Sequence, residues 1–243
     1  MSVHLHYQID KLQKLLLNVG TMVEEALNNV IRAISTRDAN LARSVIEGDR
    51  HIDLNEIEVE EECLATLALH QPVAHDLRFV VAVLKINRDL ERIGDLASDV
   101  AEEFLALAHD DSVHVESFGI DIMATDARTM LKQSLDALVN VDASLAQAVR
   151  RADDKVDELH RQIYEKIEKR LIADPTRAAS LIRVLTMARQ VERLADHAVN
   201  IAKDVIYLVQ GRIVRHQSAR AAAKAATEQT ASAHGQGGEP GRV

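Results

Sequence analysis

The strongest constraint on the fold of this chain is that its two halves repeat one another. The segment Asp38–Ala42 has a counterpart in Asp142–Ala146, and each is followed at the same distance by a pair of aspartates. Further along, Arg88–Asp95 has a counterpart in Arg189–Asp196, and a third anchor, a proline, lies between these two segments in each half. Three anchors in the same order, two of them at breaks in the apolar pattern, indicate two homologous units.

Within each half, apolar residues recur at steps of three and four, which predicts amphipathic helices. The first stretch covers residues 5–36, and the second begins after Asp38, a residue type that caps helix N-termini. The second stretch ends before Pro72, where we expect a new helix to start because proline cannot continue the old one. The third stretch runs from Val73 to about Ala108. The periodic apolar residues of the second stretch are Leu41, Val45, Ile52, Ile57, Leu64 and Leu67.

These patterns predict an all-α protein made of two tandem homologous three-helix bundles, six long helices that form an elongated molecule. The first repeat covers residues 1–109 and the second covers residues 118–210, with a linker from His109 to Gly119. From residue 211 the chain becomes rich in Ala, Gln, Gly and Ser without an apolar period. We therefore expect residues 211–243 to form a disordered tail.

The amino-acid composition limits which classes of binding partner and which cellular compartment are expected. The 38 acidic residues outnumber the 29 basic ones, for a net charge of −9. Nucleic acid is therefore not expected as a partner, because phosphate contacts need clustered Lys and Arg. One cysteine, Cys63, allows no intramolecular disulfide and fits a reducing cytoplasm. The N-terminal sequence does not resemble a signal peptide. No stretch of the sequence approaches the roughly 20 consecutive apolar residues that a membrane-spanning helix needs. Membrane association is expected only through partners.

Carboxylates spaced four residues apart recur on two helices of both units. Such pairs share a helix face, and like charges at that spacing destabilise a helix by roughly 0.2–0.5 kcal/mol per pair. Hard metal ions bridged by carboxylates, neighbouring arginines or solvating water could each neutralise them. One turn beyond the motif of the third helix lies Asp99 in the first repeat and Asn200 in the second. The candidate metal ligands are Asp49, Asp53, Glu91, Asp95 and Asp99 in the first repeat, and Asp153, Asp157, Glu192, Asp196 and Asn200 in the second.

No pattern in the chain predicts an enzyme. A di-iron oxidase would need Glu-x-x-His on two helices, and the sequence contains none. Phosphate-binding loops and nucleophile elbows are also missing from the sequence. His197 follows Asp196 directly and is either a polar surface histidine or an additional metal ligand, whereas His70 and His75 flank a helix junction and are interpreted as turn or surface residues.

The two motif helices resemble those of the PhoU family, the phosphate-specific transport system accessory proteins. The resemblance rests on Arg88–Asp95, on Val191–Ala202 and on Val205–Val209, and it extends over residues 5–210. It implies two three-helix bundles and a cytoplasmic negative regulator of the phosphate-starvation response. The implied partners are the ATPase subunit of the high-affinity phosphate ABC transporter and a phosphate-responsive sensor histidine kinase.

The resemblance also implies that the paired acidic motifs hold multinuclear metal clusters of iron or of other hard cations such as manganese, magnesium or calcium. The expected assembly is a homodimer. Three positions depart from the family's pattern: Leu96 replaces a histidine, Asp99 replaces an asparagine and Ala195 replaces a glycine. These departures leave the carboxylates intact but weigh against symmetric metal occupancy. The alternative function is a metal-buffering or metal-storage protein.

Overall fold

The computed structural model describes residues 3–107 and 113–211, and no strand occurs among them. These residues form six long helices and two short 3-10 helices. The all-α fold predicted from the apolar spacing is therefore confirmed. The segment 108–112 and the residues after Gly211, which include the predicted tail, lie outside the described residues.

The long helices fall into two sets of three, in the order that the internal repeat predicts. Each of the first three helices exceeds thirty residues, whereas the first helix of the second set is shorter, with 20 residues. The helices are α1 (Val3–Thr36), α2 (Ala39–His70), α3 (Ala74–Leu107), α4 (Ile120–Val139), α5 (Ala143–Ala173) and α6 (Ala178–Gln210).

The helix boundaries follow local capping chemistry. Asp38 and Asp142 cap α2 and α5, and each carboxylate accepts hydrogen bonds from the backbone N–H groups two and three residues further on. At the other end of α2, Gln71 adopts a left-handed conformation with φ 46°. Helix α3 therefore begins at Ala74 rather than at Pro72, because Gln71 to Val73 are used to reverse the chain direction.

Four helices pack together and the other two lie against them. Helices α3 and α6 pack along each other, α1 packs against α3 and α4, and α4 packs against α6. Helix α2 contacts α1 and α3, and α5 contacts α4 and α6 in the equivalent way. The described helices belong to one compact unit. The paired carboxylates therefore lie at two equivalent places, one where α2 meets α3 and one where α5 meets α6.

Two residues of the apolar set predicted for α2 are exposed rather than buried. Ile57 is 50% exposed and Leu64 is 54% exposed. The prediction is wrong for these residues because α2 packs on its neighbours along one side only, and Ile57 and Leu64 lie on the opposite side from Ile52. The buried residues of α2 are Ala42, Val45, Ile52, Val59, Cys63 and Thr66.

The segment predicted as a linker contains packed structure. Val115–Phe118 form a 3-10 helix that ends at Gly119, whose φ of 89° lies in the left-handed region. Val113, Val115 and Phe118 are buried. The apolar side chains of this segment therefore pack against the helices, although its polar composition predicted a linker. Among the helices of the described residues, none is long and apolar enough to cross a membrane.

Candidate metal-binding carboxylate sites

The first acidic site, defined as Asp49, Asp53, Glu91, Asp95 and Asp99, lies where α2 packs against α3. Ligand oxygens of Asp49, Asp53 and Asp95 lie within 4.8 Å of one another. The acidic faces of the two helices meet because α2 and α3, joined by the short segment 71–73, run antiparallel. Carboxylate oxygens at such separations can bind one hard cation or bridge two.

Gly94 lets the two helices approach closely at this point. A Cβ atom at Gly94 would lie 3.1 Å from Ile52 Cδ1 and 3.4 Å from Asp49 Oδ1. A larger side chain would therefore push α2 away from α3 or displace the carboxylate. The corresponding residue in the second repeat is Ala195, which is also fully buried.

Asp49 is the most perturbed carboxylate of the first acidic site. Burial, followed by the charges of Asp95 and Asp53, raises the pKa of Asp49 to about 6. Its Oδ1 atom is buried and accepts no hydrogen bond. A buried carboxylate oxygen without a hydrogen-bond donor is costly when ionised, and a bound cation would remove that cost.

Arg92 partly neutralises the same cluster from its exposed side. Its Nη1 atom donates to Asp95 Oδ2 at 2.7 Å, and its Nε atom lies 3.4 Å from Glu91 Oε2. Burial, and then the neighbouring Asp95 charge, still raises the pKa of Glu91 against the opposing effect of Arg92. The arginine pairing considered from the sequence is therefore real, but it satisfies only part of the negative charge.

Asp99 connects the first acidic site to the other repeat. It is exposed, and its Oδ2 atom accepts a hydrogen bond of 3.0 Å from Gln190 Nε2 on α6. Burial, with the charges of Glu102 and Asp95, raises the pKa of Asp99. Asp99 thus lies at the rim of the site, next to the contact between α3 and α6.

The second acidic site, defined as Asp153, Asp157, Glu192, Asp196 and Asn200, lies between α5 and α6. Asp153 takes the place of Asp49. Burial, followed by the charges of Asp157 and Asp196, raises the pKa of Asp153 to about 6. The electrostatic strain that characterises the first site is therefore repeated in the second.

The nitrogen atoms that contact the second acidic site differ from the arginine of the first. His160 Nδ1 lies 3.3 Å from Glu192 Oε2, and Lys203 Nζ donates to Asn200 Oδ1 at 3.4 Å. Among the described residues, the first acidic site has three carboxylates with oxygens within 4.8 Å of one another, and the second does not. The two sites are equivalent in position and different in chemistry, in line with the departures seen in the motif.

His197 is neither a surface histidine nor a member of the second acidic site. Its Nδ1 atom lies 2.8 Å from Asp89 Oδ1, and both side chains are largely buried. Since Asp89 belongs to α3 and His197 to α6, this pair joins the two repeats. Lys85 and Asp204, at 3.4 Å, make a second polar contact between the same helices.

Two residues at the sites, Glu56 and His160, were not predicted from the sequence. They occupy equivalent positions, three residues after Asp53 and Asp157 respectively. The Glu56 charge contributes to raising the pKa of Glu91, and His160 contacts Glu192. Extending the aspartate spacing by one further helical turn would have found both, because that turn lies on the same helix face.

Fold and sites together define a class of protein: an all-helical chain built from a duplicated three-helix unit, with facing carboxylates on the second and third helices of each unit. The family model described as the PhoU domain matches the chain twice, over residues 16–104 and 120–205. The chain therefore belongs to the PhoU family, as the motif resemblance predicted.

Relatives over most of the chain carry the same family name. The "Phosphate-specific transport system accessory protein PhoU homolog" of Pseudomonas aeruginosa is 33% identical over 216 residues, which are 89% of each chain. The Aquifex aeolicus homolog is 34% identical over 210 residues, 86% of this chain and 95% of its own.

Solved structures agree with the fold. The crystal structure of PhoU from Pseudomonas aeruginosa superposes with a TM-score of 0.80 at 34% identity and covers 85% of this chain and 99% of its own. The phosphate transport system regulatory protein PhoU from Streptococcus pneumoniae gives a TM-score of 0.80 at 27% identity, with 86% and 99% covered.

Proposed function

We propose that this chain is a cytoplasmic negative regulator of the phosphate-starvation response that couples a high-affinity phosphate ABC transporter to a sensor histidine kinase. The observation that carries the proposal is membership of the PhoU family across both repeats. Relatives named as accessory proteins of the phosphate-specific transport system support the link to a transporter. The kinase partner is inferred from the family resemblance of the motifs.

The proposed mechanism is binding rather than catalysis. A protein without a reaction of its own passes a signal by binding two states of a partner with different affinity. The long helices offer extended surfaces for the transporter's ATPase subunit and for the kinase. We also propose that the chain acts as a homodimer, which sedimentation equilibrium would test directly.

We further propose that the acidic sites bind hard cations in multinuclear clusters, with iron, manganese, magnesium and calcium ahead of copper. Oxygen ligands without thiolates favour that order. In the first acidic site, Asp49, Asp53 and Asp95 would hold the first ion, with Glu91 and Asp99 beside them. In the second, Asp153, Asp157, Glu192 and Asp196 would do so. A bound ion would neutralise the carboxylates and hold the outer helix of each unit to its neighbour.

Metal buffering or storage is the second candidate function. It is favoured by the convergence of three carboxylates within 4.8 Å, one of which, Asp49, has a buried oxygen that accepts no hydrogen bond. The two candidates differ in the consequence of removing the carboxylates. A regulator that keeps its fold can still bind its partners, whereas a metal buffer loses its ligand.

Deletion of the gene tests the regulatory role. We expect phosphate-starvation genes to stay switched on at high phosphate in the deletion strain, and repression in the wild type to require both transporter and kinase. A reporter fused to a starvation promoter measures the response, and a plasmid copy should restore repression. Normal repression in the deletion strain would contradict the regulatory proposal and favour metal buffering.

A quadruple substitution tests the metal sites and separates the two candidates. We expect the variant to bind less iron or manganese by elemental analysis, while far-ultraviolet circular dichroism keeps its helical signal. Retained repression by this variant would favour a regulator whose metal is dispensable, and unchanged metal content would contradict the sites themselves. The substitutions are Glu91→Ala, Asp95→Ala, Glu192→Ala and Asp196→Ala. A charge-matched control outside the sites is Glu25→Ala, Glu47→Ala, Glu165→Ala and Glu168→Ala.

A further inference from the structure

The side of α2 that faces away from the core carries a row of exposed aliphatic residues. Leu54 is 54% exposed, Ile57 is 50% exposed and Leu64 is 54% exposed. They lie on the helix side opposite the buried Ile52, which packs towards α3 beneath Gly94. Scattered exposed leucines are ordinary, but these three share one side of α2: Leu54 and Ile57 are one turn apart, and Leu64 follows two turns further along, beyond the exposed Glu61.

The second repeat shows that the fold does not need apolar residues there. In the register that pairs Asp49 with Asp153, the equivalents of Leu54, Ile57 and Leu64 on α5 are charged. These equivalents are Glu158, Arg161 and Glu168. Since α5 occupies the same place against its own neighbours as α2 does, packing in this fold does not require apolar residues at these positions.

The apolar row is surrounded by negative charge. Residues 53–64 include six acidic residues and no Lys or Arg. Glu62 is paired with Lys11 at 2.6 Å, whereas Glu58, Glu60 and Glu61 are exposed. A second copy docked through this face would oppose acid to acid, and an anionic lipid surface would be repelled. The complementary surface is an apolar ridge flanked by basic residues.

We propose that this outer face of α2 is the docking surface for an apolar, Lys- or Arg-flanked helix of the transporter's ATPase subunit. Leu54, Ile57 and Leu64 are the apolar anchors, and Glu58 beside them and Glu61 between Ile57 and Leu64 supply the acidic charge. The assignment rests on the proposed function, which makes the transporter a partner. Apolar anchors supply the affinity of such an interface, and the charges supply orientation and association rate.

The second repeat supplies substitutions for the test. The full-length variant Leu54→Glu, Ile57→Arg, Leu64→Glu places the residues of α5 on α2, at positions where half of each side chain is already in water. We expect binding of the purified ATPase subunit, measured by calorimetry, to weaken at least about tenfold. Circular dichroism and the melting temperature report whether the variant is folded.

A matched control variant introduces the same charged residue types at three exposed positions of the second repeat. Tyr164, Ile172 and Ile182 are 53%, 76% and 55% exposed, and Tyr164→Glu, Ile172→Arg, Ile182→Glu should leave binding within about twofold. Should the first variant fail to fold, Glu58→Gln with Glu61→Gln keeps the apolar row. This variant should weaken binding about threefold or more at low salt and flatten its salt dependence.

The outcomes separate the surface from the function. Equal binding by the wild type and the α2 variants would overturn the docking surface while leaving the proposed function intact. Absence of binding by the wild type would overturn the transporter link itself, and the surface with it. Equal loss in the matched variant, loss of kinase binding instead of ATPase binding, or dissociation of a homodimer would each overturn the assignment.

Discussion

Replacing Asp49 by asparagine is expected to stabilise the metal-free protein at neutral pH. The side chain keeps its shape but loses the charge that burial and the neighbouring Asp95 and Asp53 make costly. The rise in pKa from 3.8 to about 6 is worth about 3 kcal/mol at 1.36 kcal/mol per pKa unit, and solvent screening of a half-exposed group reduces it to about 1–2 kcal/mol.

The sign of the pH dependence follows from linkage. Between pH 3.8 and about 6, Asp49 binds more protons in the folded protein than in the unfolded chain. The wild type therefore loses stability as the pH rises through this window, and the full cost is present above it. The advantage of Asp49→Asn should be complete at pH 7.5 and should vanish near pH 4.

Thermal unfolding followed by circular dichroism in a chelator measures this effect. For a chain of this length, the gain corresponds to about 2–8 °C in melting temperature at pH 7.5. An exposed glutamate outside both sites, Glu25→Gln, serves as the control and should change stability by no more than about 0.5 kcal/mol. Saturating manganese should reverse the order, because the bound ion stabilises the wild type more than the variant.

Two results would refute this reasoning. The first is a variant that is no more stable than the wild type at pH 7.5 without metal, which would mean that the buried charge carries no cost. The second is a gain of equal size at pH 4, where Asp49 of the folded wild type is protonated and the substitution should be close to neutral.

Three further experiments test a helix contact, a helix cap and the burial of a thiol. Gly94→Leu should lower the free energy of unfolding, measured in urea, by about 1–3 kcal/mol and weaken metal binding. Its Cβ atom alone would lie 3.1 Å from Ile52 Cδ1, so the new side chain must displace Ile52. A loss of stability without a change in metal affinity would contradict a connection between this helix contact and the metal site. Asp38→Ala should cost about 1 kcal/mol by removing the cap of α2, and a stability equal to the wild type would show that the cap is redundant. Cys63 is fully buried and burial raises its pKa to about 12, so a thiol reagent should modify it only on unfolding; rapid modification of the native protein would disprove this burial.

Local patterns explain why much of the fold could be predicted. Apolar spacing, aspartate caps and proline breaks act within a few residues, so they specify where α2 and α5 begin and which carboxylates share a face. Because the two halves repeat one another, each prediction for one half also applied to the other. The same logic paired Asp49 with Asp53 and Asp153 with Asp157 on their helices, since four-residue spacing is a property of the helix itself.

Only the tertiary structure decided which of these groups meet. Gly94 brings α3 close enough to α2 for Asp95 to join Asp49, and this depends on the register between two helices rather than on either one. The contact of His197 with Asp89 depends on packing between the repeats, which no local pattern encodes. Likewise, Ile57 fits the apolar period of α2 but faces solvent, because periodicity predicts that a helix has an apolar side and packing alone determines which side is covered.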